Sequence, residues 1–293
     1  MLKLPKVNGV HLYGSDQTDP VIEHKGRVYV RIDDKLPVPG QNAVYVRIGK
    51  LLSVDSSNVK LAKSAKKTDA LSLIFYGAPA NLSGFEMCRF RSKECTAGCL
   101  NTAGNGRYDS VQLARIAKTR LEVFRPDLFD KLIRKELAFW QRKLSRSKKA
   151  FLAVRLNGTT DRISDMLRAV VTDHPTIRFY DYTAVVSRIR VDQAVANYQC
   201  TMSLKETQSS YLACQSALSN GLNVAAVVTR ELKAQLLSQY PERFVDFDEH
   251  DLRLRDVDGV GVVGLLTPKG RLRSVKPGGF VNDSKAKMLE LFV

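Results

Sequence analysis

The sequence predicts an α/β protein, a TIM-barrel-like or partial β/α barrel over residues 66–293 with a small β-rich appendage over residues 1–65. Three observations predict it. Residues 71–77 (LSLIFYG) form an unbroken apolar run, the pattern of a strand buried on both faces. Further apolar runs then alternate with stretches of helical periodicity, which implies βαβ crossovers and a parallel sheet. Ahead of them, residues 27–32 (RVYVRI) and 43–48 (AVYVRI) alternate apolar with polar, the period of a half-buried strand. An open doubly wound sheet is the alternative, because periodicity does not report closure.

The elements follow in order. Pro37, Pro39 and Gly40 mark a turn between the first two strands, and the shared VYVRI suggests that these strands pair. Residues 60–67 (KLAKSAKK) read as a Lys-rich connector. Helical spacing runs through residues 110–145, first on Leu113, Ile116, Ala117 and Leu121, then on Leu128, Leu132, Ile133 and Leu137, and Pro126 splits it in two. Strands are expected at 150–156, 177–182, 198–202, 224–229, 244–247 and 260–266, with helices near 162–172, 206–219 and 230–239 between most of them. Residues 268–282 form a basic, glycine-rich loop before a short terminal helix (KAKMLELF).

Composition narrows the function. Lys and Arg number 46 against 30 Asp and Glu, a formal charge of +16 over 293 residues. A field of that sign attracts polyanions, and nucleic acid is the partner expected from it. No run of about 18 apolar residues is present, so no membrane span is expected. The N-terminal residues lack the apolar core of a signal peptide, which predicts the cytoplasm of the cell that makes the protein.

Three of the five cysteines, Cys88, Cys95 and Cys99, lie in GFEMCRFRSKECTAGCL (residues 84–100) with C-x6-C-x3-C spacing. Thiolates bind soft metals, and three on one loop fill three corners of a tetrahedron or of a [4Fe–4S] cube, leaving one position open. Structural zinc is the alternative, with Cys200, Cys214 or His250 as a fourth ligand. The loop follows an apolar strand and leads into a helix, which on a β/α barrel is the C-terminal, catalytic face.

These residues carry a resemblance. The cysteine loop, VRLNGTTD (residues 154–161) and PTIRFYDYTA (residues 175–184) resemble a phage-encoded family, gene product eighty-eight. The element order is also similar to that of the radical S-adenosylmethionine superfamily, although the cysteine spacing departs from that superfamily's C-x3-C-x2-C. The superfamily resemblance implies a [4Fe–4S] cluster on Cys88, Cys95 and Cys99 and S-adenosylmethionine as second cofactor; the basic charge adds a nucleic acid or nucleotide as the expected substrate.

Carboxylates at strand ends are the candidate catalytic groups. They are Asp161 in NGTTD, Asp181 in FYDYT, and Asp246 and Asp248 in DFDEHDLR, the last two on one face while the chain stays extended. Asn157 shares a face with Arg155 in the same way. Capping and ion pairing are the structural duties such Asp residues perform. Base-exchanging guanine transglycosylases suggest a second chemistry, in which Asp246 or Asp248 attacks a sugar, Asp161 or Asp181 holds the base, and zinc is structural. A non-enzymatic nucleic-acid-binding protein with a metal-stapled loop is the third. Phosphate contacts are expected from Arg142, Lys143, Arg146, Lys148 and Lys149, and from Lys269, Arg271 and Arg273.

Overall fold

The computed structural model describes residues 7, 9–15, 17–33, 43–54, 62, 66–192, 195–253 and 261–293. The turn expected at Pro37–Gly40 and five of the eight residues of the Lys-rich connector fall outside them. The alternating N-terminal segments become strands β3 (Arg27–Arg31) and β4 (Val44–Arg47), which pair antiparallel, Val30 opposite Val46. With β1 (Leu12–Gly14) and β2 (Val21–His24) they form a four-stranded sheet in the order β1-β4-β3-β2. The next strand, β5 (Leu52–Val54), leaves that sheet and pairs antiparallel with β6 (Ala70–Phe75) at the edge of a second, larger one.

That second sheet contains β7 (Phe151–Arg155), β8 (Arg178–Thr183), β9 (Tyr198–Ser203), β10 (Val224–Val228), β11 (Phe244–Asp246), β12 (Val263–Leu266) and β13 (Val281–Asn282). From β6 to β10 each strand lies beside its successor and parallel to it. β12 then inserts between β10 and β11, and β13 pairs with the last residues of β10. The helices are α1 (Lys93–Ala97), α2 (Asp109–Phe124), α3 (Pro126–Leu144), α4 (Asp165–Thr172), α5 (Val186–Asp192), α6 (Gln208–Ser219), α7 (Arg230–Gln239) and α8 (Lys285–Leu289). Pro126 opens α3 at a position where its missing N–H costs nothing, and so divides α2 from α3.

The mixed α/β fold with a mainly parallel sheet is as expected, but the TIM-barrel-like or partial β/α barrel is not seen as a closed barrel. Among the described residues the sheet is open, with β5 and β11 at its two ends. The edge of β6 that closure would use is already hydrogen-bonded to β5.

Alternation along the strands separates two faces. Leu73, Phe75, Leu152, Val154, Phe179, Cys200, Met202, Val224 and Ala226 join the main core with the helices. The other face is lined by small residues, with Ala70 and Ala153 beside Tyr180, and Leu252 packs on it. Residues 247–253 fold back across this face. A Cβ on Gly264 would come within 2.0 Å of the Phe247 ring, so glycine is what allows the ring to lie flat on β12.

Candidate thiolate site at the C-terminal edge of the parallel sheet

The cysteine loop starts where β6 ends and lies across the C-terminal edge of the sheet. Its stem is fixed to neighbouring strand ends. Thr159 Oγ1 donates to Gly77 O (2.7 Å), Ala78 N donates to Thr119 Oγ1 (2.8 Å), and Asp161 N donates to Met87 O (2.9 Å). Ser92 caps α1, its hydroxyl accepting from Cys95 N (3.2 Å). Glu206, just past β9, accepts from Ser92 Oγ (2.7 Å) and Glu94 N (3.1 Å). Glu94 in turn accepts from Phe280 N (2.7 Å). At the loop's far end Gly98 packs against Leu272, whose Cδ2 would lie 2.1 Å from a Cβ added there. The loop therefore touches the ends of β6, β7 and β9 and the basic C-terminal segment.

All five cysteines are free thiols. Cys88 Sγ accepts from Ala80 N (3.4 Å) and lies 3.9 Å from Thr159 O, at the end of β7. Lys205 Nζ sits 3.3 Å from Cys95 Sγ. Burial pushes the Cys88 thiol up to about 11, and the nearby charges of Asp161 and Cys99 add to the rise. Burial also raises Cys99, with Cys95 adding to it and Arg115 and Lys205 opposing. The three sulfurs are thus electrostatic neighbours through Cys99. Arg115 stacks over Tyr76 (5.0 Å) and donates to Asn101 O (2.9 Å), yet its buried Nε has no partner among the described residues. As placed, no three His, Cys, Asp or Glu side chains among the described residues form a group that could hold a metal ion. By element type alone the three sulfurs are soft donors, and Lys205 and Arg115 are the cations nearest them.

The candidate carboxylates fall into two networks. Asp181 is fully buried and faces the helices. It accepts from Asn157 N (2.7 Å), Asn157 Nδ2 (2.8 Å), Tyr198 OH (2.5 Å) and Arg188 Nη2 (3.3 Å). Asp161 accepts from Thr183 Oγ1 (2.7 Å), Ala184 N (2.7 Å) and Arg188 Nη1 (2.9 Å); Ser164, not Asp161, caps α4. Asp246 and Asp248 meet on Lys233 of α7 (2.6 and 2.9 Å). Asp248 also accepts from Lys269 Nζ (2.6 Å) and Thr267 N (2.8 Å), and these partners hold it far below the usual carboxylate range. Four strand spacings separate β8 from β11, roughly 19 Å along the sheet, so the two pairs do not converge.

Asn157 and Arg155 part at the end of β7. Asn157 goes to Asp181, while Arg155 turns to the opposite face, 3.5 Å from Asp251 and stacked on Tyr182 (4.6 Å). Asp251 thus has Arg155 as an ion-pair partner. Cys200 and Cys214 are buried in the helix-side core, and burial pushes Cys214 up to about 12. His250 Nδ1 is buried with no partner among the described residues.

The basic segments lie at opposite ends of the sheet. Lys269, Arg271 and Arg273 follow β12 and flank the cysteine loop through Leu272, with Arg271 and Arg273 exposed. Residues 142–149 precede β7 and sit at the N-terminal edge, where Lys149 Nζ donates to Thr68 O (2.7 Å). No helix among the described residues is long and apolar enough to cross a membrane.

Sequence reasoning missed Arg188, Lys205, Arg115 and Lys233. For Lys205 a signal existed, since Lys205-Glu206 directly follows a parallel strand, where loops carry function. No curated protein and no solved structure matches the chain. The family model of Gene product 88 matches residues 50–283, from β5 through β13, and the chain belongs to that family.

Proposed function

We propose that this chain is a phage-type iron–sulfur enzyme of radical S-adenosylmethionine-like character, acting on nucleic acid or a nucleotide at the C-terminal edge of its sheet. One observation carries the reading. Three reduced thiols cross the ends of a progressive parallel sheet beside two cations, Lys205 at 3.3 Å from Cys95 Sγ and Arg115 near Cys99. Cys88, Cys95 and Cys99 would hold the centre, and an iron–sulfur cluster there supplies one-electron chemistry at an iron open to a second ligand. The protein's own part is electrostatic. Arg115 and Lys205 offset negative charge at the sulfurs, and Asp161 N and Glu206 anchor the loop that bears them. Ligation requires Cys88 and Cys99 to lose protons that burial holds on them, so loading is favoured by rising pH. Arg271 and Arg273 stand ready for phosphates.

The test is anaerobic reconstitution with iron and sulfide, followed by iron counting and electron paramagnetic resonance. The wild type is expected to hold about four irons, as one [4Fe–4S] cluster requires, and the Cys88→Ala/Cys95→Ala/Cys99→Ala variant none. Iron in that variant, or none in the wild type, overturns the reading. A second reading, a nucleic-acid-binding protein without catalysis, is favoured by the engaged state of Asp161, Asp181, Asp246 and Asp248. Duplex binding with tightly held zinc and no chromophore would support it.

A further inference from the structure

We infer that the outward face of α3 is a docking surface for the phosphate backbone of double-stranded nucleic acid, separate from the thiolate site. The inference rests on the nucleic-acid part of the reading above and on nothing about its cysteines.

Helix α3 presents Lys131, Lys135, Arg142 and Lys143 to solvent, and Arg146 and Lys148 continue the line beyond its end. The spacing 131–135 is i,i+4, and Phe139, four residues after Lys135, continues the same side toward Lys143. At 1.5 Å per residue, Lys131 to Lys143 spans about 18 Å, comparable to about five base pairs of duplex. None of the six cations has a carboxylate within ion-pair distance among the described residues, whereas Arg134 on the same helix is taken by Asp130 (2.7 Å) and Asp173 (2.8 Å). The acids of α3 are engaged elsewhere. Asp127, one turn before Lys131, pairs with Arg125 (2.8 Å), Asp130 pairs with Arg134 (2.7 Å), and Glu136 turns inward to accept from Leu51 N (2.6 Å) and Leu52 N (3.0 Å).

A helix C-terminus attracts cations through its dipole, but that effect fades within the last turn. It accounts for Arg142 and Lys143, not for Lys131 and Lys135 two to three turns earlier. The charges form a line on a rigid rod rather than a disc, which suits a backbone better than a lipid surface. Phe139, 41% exposed, has Lys143 Nζ 5.8 Å from its ring centroid and is the one large apolar side chain exposed on this helix. The polar amide of Gln141 is engaged by Thr176 (3.2 Å), so the stripe offers charge without base reading, and binding is expected to be independent of sequence.

The experiment uses the full chain and a 25-base-pair duplex of arbitrary sequence, read by fluorescence anisotropy across a salt series. Each phosphate contact contributes about 0.9 to the slope of log K against log salt. The Lys131→Gln/Lys135→Gln/Arg142→Gln/Arg146→Gln variant is expected to lose about 3.6 of that slope, four contacts at 0.9 each, with unchanged thermal melting. A second variant carrying only Lys131→Gln and Lys135→Gln is expected to lose about 1.8, which keeps the test alive if the first folds poorly. An unchanged slope in both variants overturns the inference, as does absence of wild-type binding at 50 mM salt. Binding of phosphatidylserine vesicles through the same four cations, with no duplex binding, overturns it in favour of a membrane. Iron content measured on the same samples separates this outcome from the fate of the cysteine reading, because the α3 variants leave the cysteine loop intact.

Discussion

Asp181 offers the sharpest test of how the strand-end carboxylates are used. Its two oxygens receive four hydrogen bonds from Asn157, Tyr198 and Arg188, and the side chain is wholly buried. Asp181→Ala removes the acceptor and leaves the Tyr198 hydroxyl, the Asn157 amide and part of the Arg188 guanidinium without it. Arg188 keeps Asp161 at 2.9 Å, so it is not wholly abandoned. Breaking a buried pair by deleting one partner costs about 3–5 kcal/mol. Total stability is about 5–15 kcal/mol, so this is a large share. With an m-value of about 2–3 kcal/mol/M, the urea midpoint drops by about 1–2.5 M. The double variant Asp181→Ala/Arg188→Met should cost less than the sum of the singles by at least about 1 kcal/mol, since the two share one network. A single variant within about 0.5 kcal/mol of wild type would refute the structural assignment and return Asp181 to the catalytic candidates.

Two further outcomes follow from buried groups elsewhere. Lys118 donates to Leu51 O (2.8 Å), and burial pushes its ammonium down to about 8. The unfolded chain keeps that proton to about 10.4 and so binds more protons than the fold between pH 8 and 10.4. Stability therefore gains from this group as pH rises through that window, by up to about 1.4 kcal/mol per unit, and urea melts of Lys118→Met relative to wild type should lack the gain. A parallel pH response in both proteins contradicts the assignment. Gly264→Ala drives a methyl into the Phe247 ring, an overpacking cost of about 1–3 kcal/mol, and should speed proteolysis of residues 247–253. Unchanged cleavage would show that the segment does not depend on that contact.

Local patterns made much of this fold legible. The apolar run at β6, the break at Pro126 and the paired VYVRI segments all appear where expected, because each signal lies within a few residues. The long-range pairings were not legible. Nothing local in Leu52–Val54 says that it will cap the edge of β6, yet that one pairing keeps the sheet open. Helix α5 has no clear apolar stripe, so neither it nor Arg188 stood out. Asp181 drew attention as a polar residue in a buried strand. Its alternation with Phe179 and Thr183 already placed it on the helix side, where a carboxylate must find a cation. The cysteines were visible as a trio, but their cations come from α2 and the end of β9, remote in sequence.

The covered face of the sheet, packed by residues 247–253, bears on what kind of substrate this architecture admits. Phe247 and Leu252 are buried against Gly264, Ala70 and Ala153, while Arg155 holds Asp251 and Arg253 stacks on Phe247 at 3.9 Å. Re-exposing two such apolar side chains costs about 3–6 kcal/mol, and separating the buried ion pair adds to it. A small molecule inserted against this face would have to offset that from few contacts. A substrate held along the C-terminal edge displaces nothing, and meets Cys95, Lys205, Arg271 and Arg273 in place. For the activity proposed, these costs favour an extended polyanion along the thiol edge over a free nucleotide inserted against the sheet face. That preference fits a chain whose charge is spread over both ends of the sheet rather than gathered in one pocket.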